Sequence, residues 1–412
     1  MKLQDIGFYT LSDERAKIAS SASPLMRCEL ILTDTCNFKC PYCRGLKQDI
    51  TGTLTLDRAK EIVSLWAAEG LRNVRFSGGE PLVYPGLLEL VEFTKSLGVE
   101  RIAISTNGSA PRKRYLELLE AGVNDISISL DACCASYGDK MAGVSGAWGL
   151  VVDNIRELSK LTYVTLGIVV TEETVNQLTE TISFAADLGP SDIRVISAAQ
   201  FDQLLTAAEK LPAELVDRYP ILRYRMDNLK QSRNVRGLSE LDSHKCGLVL
   251  DDIASAGGKH FPCIIYMREQ GDAIGEVGPN MRAERQSWFE SHDTHQDPIC
   301  KKNCLDVCID YNNRFQKFRI NQVKLPRLSS VQFTHDLWCS GSIHDLGVKS
   351  RYADIVAAEG RALLQRYAVG WCFGEALPFR SKAQHIAVMC YKNGEHFWFH
   401  IRASEFWEVF KD

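Results

Sequence analysis

Between residues 28 and 197, short apolar runs alternate with longer segments of helical periodicity, and that alternation leaves few folds open. Cys28–Thr33, Asn73–Ser77, Arg101–Ser105, Asp125–Leu130, Tyr163–Val170 and Asp192–Ser197 read as strands. Segments near Thr55–Glu69, Pro85–Leu97, Pro111–Glu120, Trp148–Leu161 and Thr174–Leu188 read as helices. In the first, Leu56, Ala59, Ile62, Val63 and Trp66 recur at the spacing of one helix face. Six strands alternating with helices predict a parallel sheet with helices outside it. Right-handed crossovers curl such a sheet into a full or partial barrel. In β/α barrels the reactive groups lie in the loops at the C-terminal ends of the strands.

The first of those loops contains Cys36-Asn37-Phe38-Lys39-Cys40-Pro41-Tyr42-Cys43, a C-x3-C-x2-C run. Three thiolates at this spacing can hold three corners of a cubane iron–sulfur cluster, whereas ordinary cluster sites supply four cysteines. The missing fourth leaves one iron open, where a substrate or cofactor binds. A three-legged zinc site, or cysteines that only pack, is also compatible with the spacing. The second strand ends in Ser77-Gly78-Gly79-Glu80-Pro81, the third in Ser105-Thr106-Asn107-Gly108, and the fourth near Ser129 and Asp131. Motifs scattered over a hundred residues therefore converge on one rim.

These segments together resemble the radical S-adenosylmethionine (SAM) superfamily, in which three cysteines hold a [4Fe–4S] cluster and SAM chelates the fourth iron. The resemblance implies an open, six-unit partial TIM-type barrel over residues 24–200. It makes Cys36, Cys40 and Cys43 the iron ligands and the Ser77–Pro81 segment the holder of the SAM amino group. Gly78 and Gly79 would let backbone approach the methionine moiety without a Cβ clash. Glu80 would accept from its ammonium group, or else serve as a helix N-terminal carboxylate. Ser105, Asn107, Ser129 and Asp131 would contact ribose or carboxylate, or have turn and cap duties. Tyr42 would pack on the cluster or the adenine, or be a plain core aromatic. The implied chemistry is reductive cleavage of SAM to a 5′-deoxyadenosyl radical, which takes a hydrogen from a substrate carbon. Oxidation, rearrangement or crosslinking would follow. The resemblance names no catalytic residue beyond the cofactor site, and implies an electron donor such as a flavodoxin or ferredoxin.

A second cysteine group follows a helical stretch, roughly Gln200–Gln231. Cys246, Gly258 and Cys263 give C-x11-G-x4-C, and Cys300, Cys304 and Cys308 give C-x3-C-x3-C. The first half resembles the opening of the SPASM/Twitch auxiliary-cluster domain, with Gly257-Gly258 as a hairpin turn and Lys259–Ile265 as the return strand. The resemblance implies a shortened, Twitch-like domain over residues 201–313 with one auxiliary [4Fe–4S] cluster. Cys246 and Cys263 are its firmest ligands, completed by two of Cys300, Cys304 and Cys308, with Cys304 and Cys308 favoured. A zinc knuckle is the alternative, since thiolates suit zinc equally well.

Residues 314–412 carry 14 Lys/Arg against 9 Asp/Glu, and four of the chain's seven tryptophans. A helix near Tyr352–Tyr367, a hairpin pairing Ile386–Tyr391 with His396–Ile401 across Asn393-Gly394, and a short helix at Ser404–Phe410 predict a small α+β domain over 325–412. Basic residues among aromatics suit a polyanion with exposed bases, but a net charge of +5 is modest, and an ordinary aromatic core with solvated charges is preferred.

The whole fold class is thus α/β, a partial (β/α)6 barrel followed by a cluster domain and a small α+β domain. Residues 1–23 lack an apolar core of signal-peptide length, and no apolar run is long enough to span a bilayer. Fourteen cysteines without an export signal fit metal ligation in a cytoplasmic enzyme better than disulfides. Small molecules, peptides and nucleobases in nucleic acid remain open as substrates. An iron–sulfur electron carrier or a zinc structural protein is the non-enzymatic alternative, and it leaves the Gly-Gly-Glu-Pro turn unexplained.

Overall fold

A computed structural model describes residues 13–198 and 211–322, and the strands 385–392 and 395–402; side chains are described through residue 318. Six strands, β1 (Arg27–Ile31), β2 (Asn73–Ser77), β3 (Arg101–Thr106), β4 (Asp125–Ser129), β5 (Tyr163–Val170) and β6 (Asp192–Ser197), lie side by side in sequence order. Every neighbouring pair is parallel. Each link between them contains a helix, as parallel pairing requires of a crossover. The expected strand positions agree with these to within two residues at either end.

Alternation along the strands sorts two faces. Cys28, Leu30, Val74, Phe76, Ile102, Ile104, Ile126, Ile128, Val164, Leu166, Ile193 and Val195 are buried in one hydrophobic core. The helices Leu56–Ala68, Leu87–Ser96 and Ala147–Leu158 cover it with Ile62, Trp66, Leu90, Val91, Val152 and Ile155. The intervening residues Glu29, Ser77, Ser105, Ser127, Ser129 and Arg194 face a cavity instead. Glu29 is on β1 and Arg194 on β6, five strand intervals apart, about 24 Å on a flat sheet. Both line one cavity of about 290 Å³, so the sheet is curled into a partial barrel with a polar interior.

The sheet does not end at β1. β7 (Asp252–Ala256) pairs parallel to the free side of β1, from Arg27↔Asp252 to Leu30↔Ser255. β8 (Lys259–Phe261) and β9 (Gly275–Glu276) follow antiparallel, so the sheet has nine strands in the order β6-β5-β4-β3-β2-β1-β7-β8-β9. Gly257 and Gly258 turn the β7–β8 hairpin at φ +57° and +80°, left-handed values that glycine tolerates. The return strand is shorter than the expected Lys259–Ile265. It stops before Pro262, which has no N–H to give the ladder, and Cys263 then caps the helix Ile264–Arg268.

Two further differences have local causes. The described part of the helical stretch expected near 200–231, from residue 211 on, contains two helices, Ala213–Arg218 and Pro220–Lys230, each preceded or opened by a proline. An unexpected helix, Ala135–Ala142, follows β4.

Residues 1–315 form one compact unit and 316–412 a second. In the second, β10 (His385–Lys392) and β11 (Glu395–Arg402) pair antiparallel from His385↔Arg402 to Lys392↔Glu395, the expected hairpin. Its turn, the helices expected at 352–367 and 404–410, and residues 199–210 lie outside the described residues. Among the described residues, no helix is long and apolar enough to cross a membrane.

Candidate active site

The chain leaving β1 stays beside β2. Gly79 N donates to Thr33 O at 2.7 Å and Glu80 N to Thr35 O at 2.9 Å, while Thr33 Oγ1 meets Thr53 Oγ1 at 2.7 Å. A Cβ on Gly78 would stand 2.5 Å from Thr33 O, and one on Gly79 would collide with Thr35 O. The two glycines are thus needed for the close approach of the cysteine loop itself, a reason the sequence did not suggest.

Cys36, Cys40 and Cys43 line the cavity, and Cys43 N donates to Cys40 O at 3.0 Å. Burial raises the Cys36 thiol and pushes Cys40 up to about 12, with the Asp131 carboxylate and the other two thiols adding to it at Cys40. Thiols raised in this way suit a positively charged metal centre, which would ionise them on binding.

Gly78, Gly79, Ser77, Ser105, Asn107, Ser129, Asp131 and Tyr42 line the same cavity. Asn107 Nδ2 donates to Asn37 Oδ1 at 2.8 Å and reaches Cys36 Sγ at 3.9 Å, linking the β3 end to the cysteine loop. Tyr42 OH donates to Asp131 Oδ2, and Val169 N donates to Asp131 Oδ1 at 2.7 Å. Asp131 thus joins the cysteine loop, β4 and β5, and burial pushes its carboxyl up to about 6.

Glu80 is placed differently from its expected contact with an ammonium group. It is 1% exposed and is not among the cavity-lining residues. Its carboxylate accepts from Leu82 N at 3.1 Å, Thr106 Oγ1 at 2.7 Å and Asn107 N at 2.7 Å. That is the alternative capping role, at a short 3-10 turn, extended to hold the β3 end.

Sequence reading missed the cavity's other walls. Met141, Ala142, Ala147, Trp148 and Val151 supply an apolar side from the helix Ala135–Ala142 and its successor. Trp148 is fixed by Nε1 donating to Ala132 O at 2.9 Å. Glu29 accepts from Ser77 Oγ at 2.8 Å, and Arg194 approaches Ser127 Oγ at 3.5 Å. Arg194 Nε has no hydrogen-bond partner among the described residues, and burial lowers its guanidinium to about 10. The signal for both was a charged residue at a strand's inward-facing alternate position.

A second, apolar cavity of about 40 Å³ is lined by Cys246, Cys263, Cys300, Cys304 and Cys308. Cys246 precedes β7, Cys263 follows β8, and the other three lie on or beside the helices Pro298–Asn303 and Asp306–Gln322. Buried Arg285 holds the hairpin over it, donating to Asp252 O, to Val249 O at 2.7 Å and to Phe261 O at 2.9 Å. Asn312 Nδ2 reaches Cys246 Sγ at 3.7 Å. Burial raises all five thiols, Cys263 to about 12. The donor set again suits a cationic centre.

Residues 30–185 match the Radical SAM superfamily model. That stretch is a radical SAM domain. Its cofactors are a [4Fe–4S] cluster and SAM. The chain is 27% identical over 216 residues to a probable GTP 3′,8-cyclase of Sulfurisphaera tokodaii, covering 48% of this chain and 69% of that one. It is 32% identical over 162 residues to an AdoMet-dependent heme synthase of Methanosarcina barkeri, covering 38% of this chain and 46% of the relative. SuiB of Streptococcus suis bound to the precursor peptide SuiA aligns at a TM-score of 0.49 and 15% identity, over 70% of this chain and 76% of that chain.

Proposed function

We propose that Cys36, Cys40 and Cys43 hold the [4Fe–4S] cluster and that the rim of the 290 Å³ cavity holds SAM against it. Bound there, the two cofactors supply a 5′-deoxyadenosyl radical that takes a hydrogen from a substrate carbon. The observation that carries this reading is convergence: residues from the ends of four strands, Cys36 to Cys43, Gly78-Gly79, Asn107 and Ser129, line one cavity. The Gly78-Gly79 backbone receives the methionine moiety. Ser129 and Asn107 offer hydroxyl and amide groups to ribose or carboxylate. Asp131, through Tyr42, fixes the cysteine loop against the barrel. Glu80 is a positioning residue that aims Asn107.

The substrate enters below SAM. Ser105, Ser127, Glu29 and Arg194 make a small polar floor, which suits a compact polar group with an oxyanion for Arg194. A small molecule, or the polar end of a peptide or nucleotide, meets that description, and relatives named GTP 3′,8-cyclase act on a nucleotide. The second cavity holds an auxiliary [4Fe–4S] cluster on Cys246, Cys263, Cys304 and Cys308. An external donor such as a flavodoxin or ferredoxin supplies the electron.

Anaerobic reconstitution, iron and sulfide counts, and reduction with SAM present test this. About eight irons per chain with release of 5′-deoxyadenosine support two four-iron clusters and radical chemistry. Zinc in place of iron, with no cleavage, overturns the reading. Small acids, peptides and nucleotides are then compared for acceleration of that release.

A further inference from the structure

The second cavity holds five cysteines, one more than a four-iron cluster uses. The odd one has its own neighbours. His292 Nε2 lies 3.8 Å from Cys300 Sγ and 3.5 Å from Asp297 Oδ2. The three donor atoms all lie within 4.8 Å of one another. A tetrahedral zinc with Zn–N and Zn–O near 2.0 Å and Zn–S near 2.3 Å would set its N and S ligands about 3.5 Å apart and its N and O ligands about 3.3 Å apart. The spacings in this chain come within a few tenths of an ångström of those edges.

Each donor is also held in place. The His292 ring stacks on Trp288 at 3.8 Å between centroids, just past the helix Met281–Ser291. Asp297 uses Oδ1 as the cap of the helix Pro298–Asn303, accepting from Ile299 N at 2.8 Å and Cys300 N at 2.9 Å. That fixes Oδ2 toward His292, with Tyr266 OH donating to it at 2.9 Å. All three residues are half-buried, which leaves a side open for a fourth ligand.

We propose that His292 Nε2, Asp297 Oδ2 and Cys300 Sγ form a separate site for a borderline-soft divalent cation of the Zn²⁺ class, with a water in its fourth position. One imidazole, one carboxylate and one thiolate suit zinc, and binding displaces the Cys300 thiol proton to solvent. The metal joins the helix Met281–Ser291 to the helix Pro298–Asn303 across the intervening loop. This rests on Cys246, Cys263, Cys304 and Cys308 being the cluster set, and accounts for the cysteine they leave over.

The test uses the full-length reconstituted chain, dialysed against a chelator and then against Zn²⁺. Zinc and iron are counted together, and zinc K-edge absorption reads the ligands. The expected result is one zinc per chain beside about eight irons, with mixed sulfur and nitrogen/oxygen coordination. His292→Ala and Cys300→Ser should each weaken zinc binding about tenfold or more and leave the iron count unchanged. Loss of about four irons in Cys300→Ser would make Cys300 a cluster ligand and end the proposal. Zinc retained in His292→Ala, or no zinc in the wild type, would end it too. A wild-type count of about four irons overturns the auxiliary cluster instead, and zinc lost in His292→Ala would still support this site.

Discussion

Glu80 ties the end of β2 to the end of β3, because Leu82 N, Thr106 Oγ1 and Asn107 N all donate to its carboxylate. Glu80→Gln replaces one acceptor oxygen with an amide donor that faces N–H and O–H groups. A buried donor left unpaired costs about 1–3 kcal/mol. The expected outcome is a lower denaturation midpoint and slower 5′-deoxyadenosine release, since Asn107 loses its anchor. A variant equal to the wild type in both would show that the carboxylate does no positioning. At the cysteine loop, replacing Cys36, Cys40 and Cys43 together with Ala should abolish SAM cleavage and leave about four irons in the second cavity. Iron counting and 5′-deoxyadenosine assay read the two effects separately. Loss of all iron would mean that the second cavity holds no independent cluster.

At the scale of elements, the β/α alternation was legible because short apolar-rich strands recur between segments such as Leu56–Ala68 and Ala147–Leu158 that carry an apolar helix face. Tyr163–Val170 and Asp192–Ser197 were readable to the residue. The pairing of β7 with β1 was not, because Asp252–Ala256 is short and built mostly of small residues, and its partner lies 225 positions earlier in the chain. The helix Ala135–Ala142 was hidden by its glycine and a short apolar pattern, so the apolar cavity wall it provides went unread. The cysteines and glycines of the site stood out by spacing; Glu29 and Arg194 look like ordinary surface charges until the sheet curls. Asp192, at the start of β6, accepts from Ile221 N at 3.1 Å and so holds the helix Pro220–Lys230. Burial raises its carboxyl from 3.8 to about 6. The native state therefore binds the proton more tightly than the unfolded chain, and stability from this group is full below about pH 4 and lost as pH rises through 6. Relative to Asp192→Asn, wild-type stability should fall between pH 4 and 6 and level off above 7, as denaturant melts across that range would record. Arg285→Ala removes the donor shared by two carbonyls of the β7–β8 hairpin, Asp252 and Phe261, and by Val249 in the turn before it. At about 1 kcal/mol or more per orphaned group it should cost roughly 3 kcal/mol and empty the second cavity of iron before the first, followed by chelator-release kinetics.

For the molecule as a whole, both cavities are built from residues of the first compact unit: the last lining residue is Asn313. A chain ended after residue 322 should therefore keep its iron content and its SAM cleavage in the absence of substrate, while any acceleration by substrate reports what the remaining ninety residues contribute. Iron lost on truncation would show that the second unit is needed to retain the clusters. The place of β1 has a consequence for how this protein is made. β1 has β2 on one side and β7 on the other, and β7 begins 221 residues after β1 ends. On the ribosome, β1 to β6 can pair as they emerge, but at about 5–20 residues per second the other side of β1 stays an open edge for on the order of ten seconds or more. During that interval the strand that bears the cysteine loop exposes unpaired backbone to any neighbouring nascent chain. Slow synthesis between residues 198 and 252 would lengthen the hazard, so the yield of soluble protein should depend on codon choice in that interval.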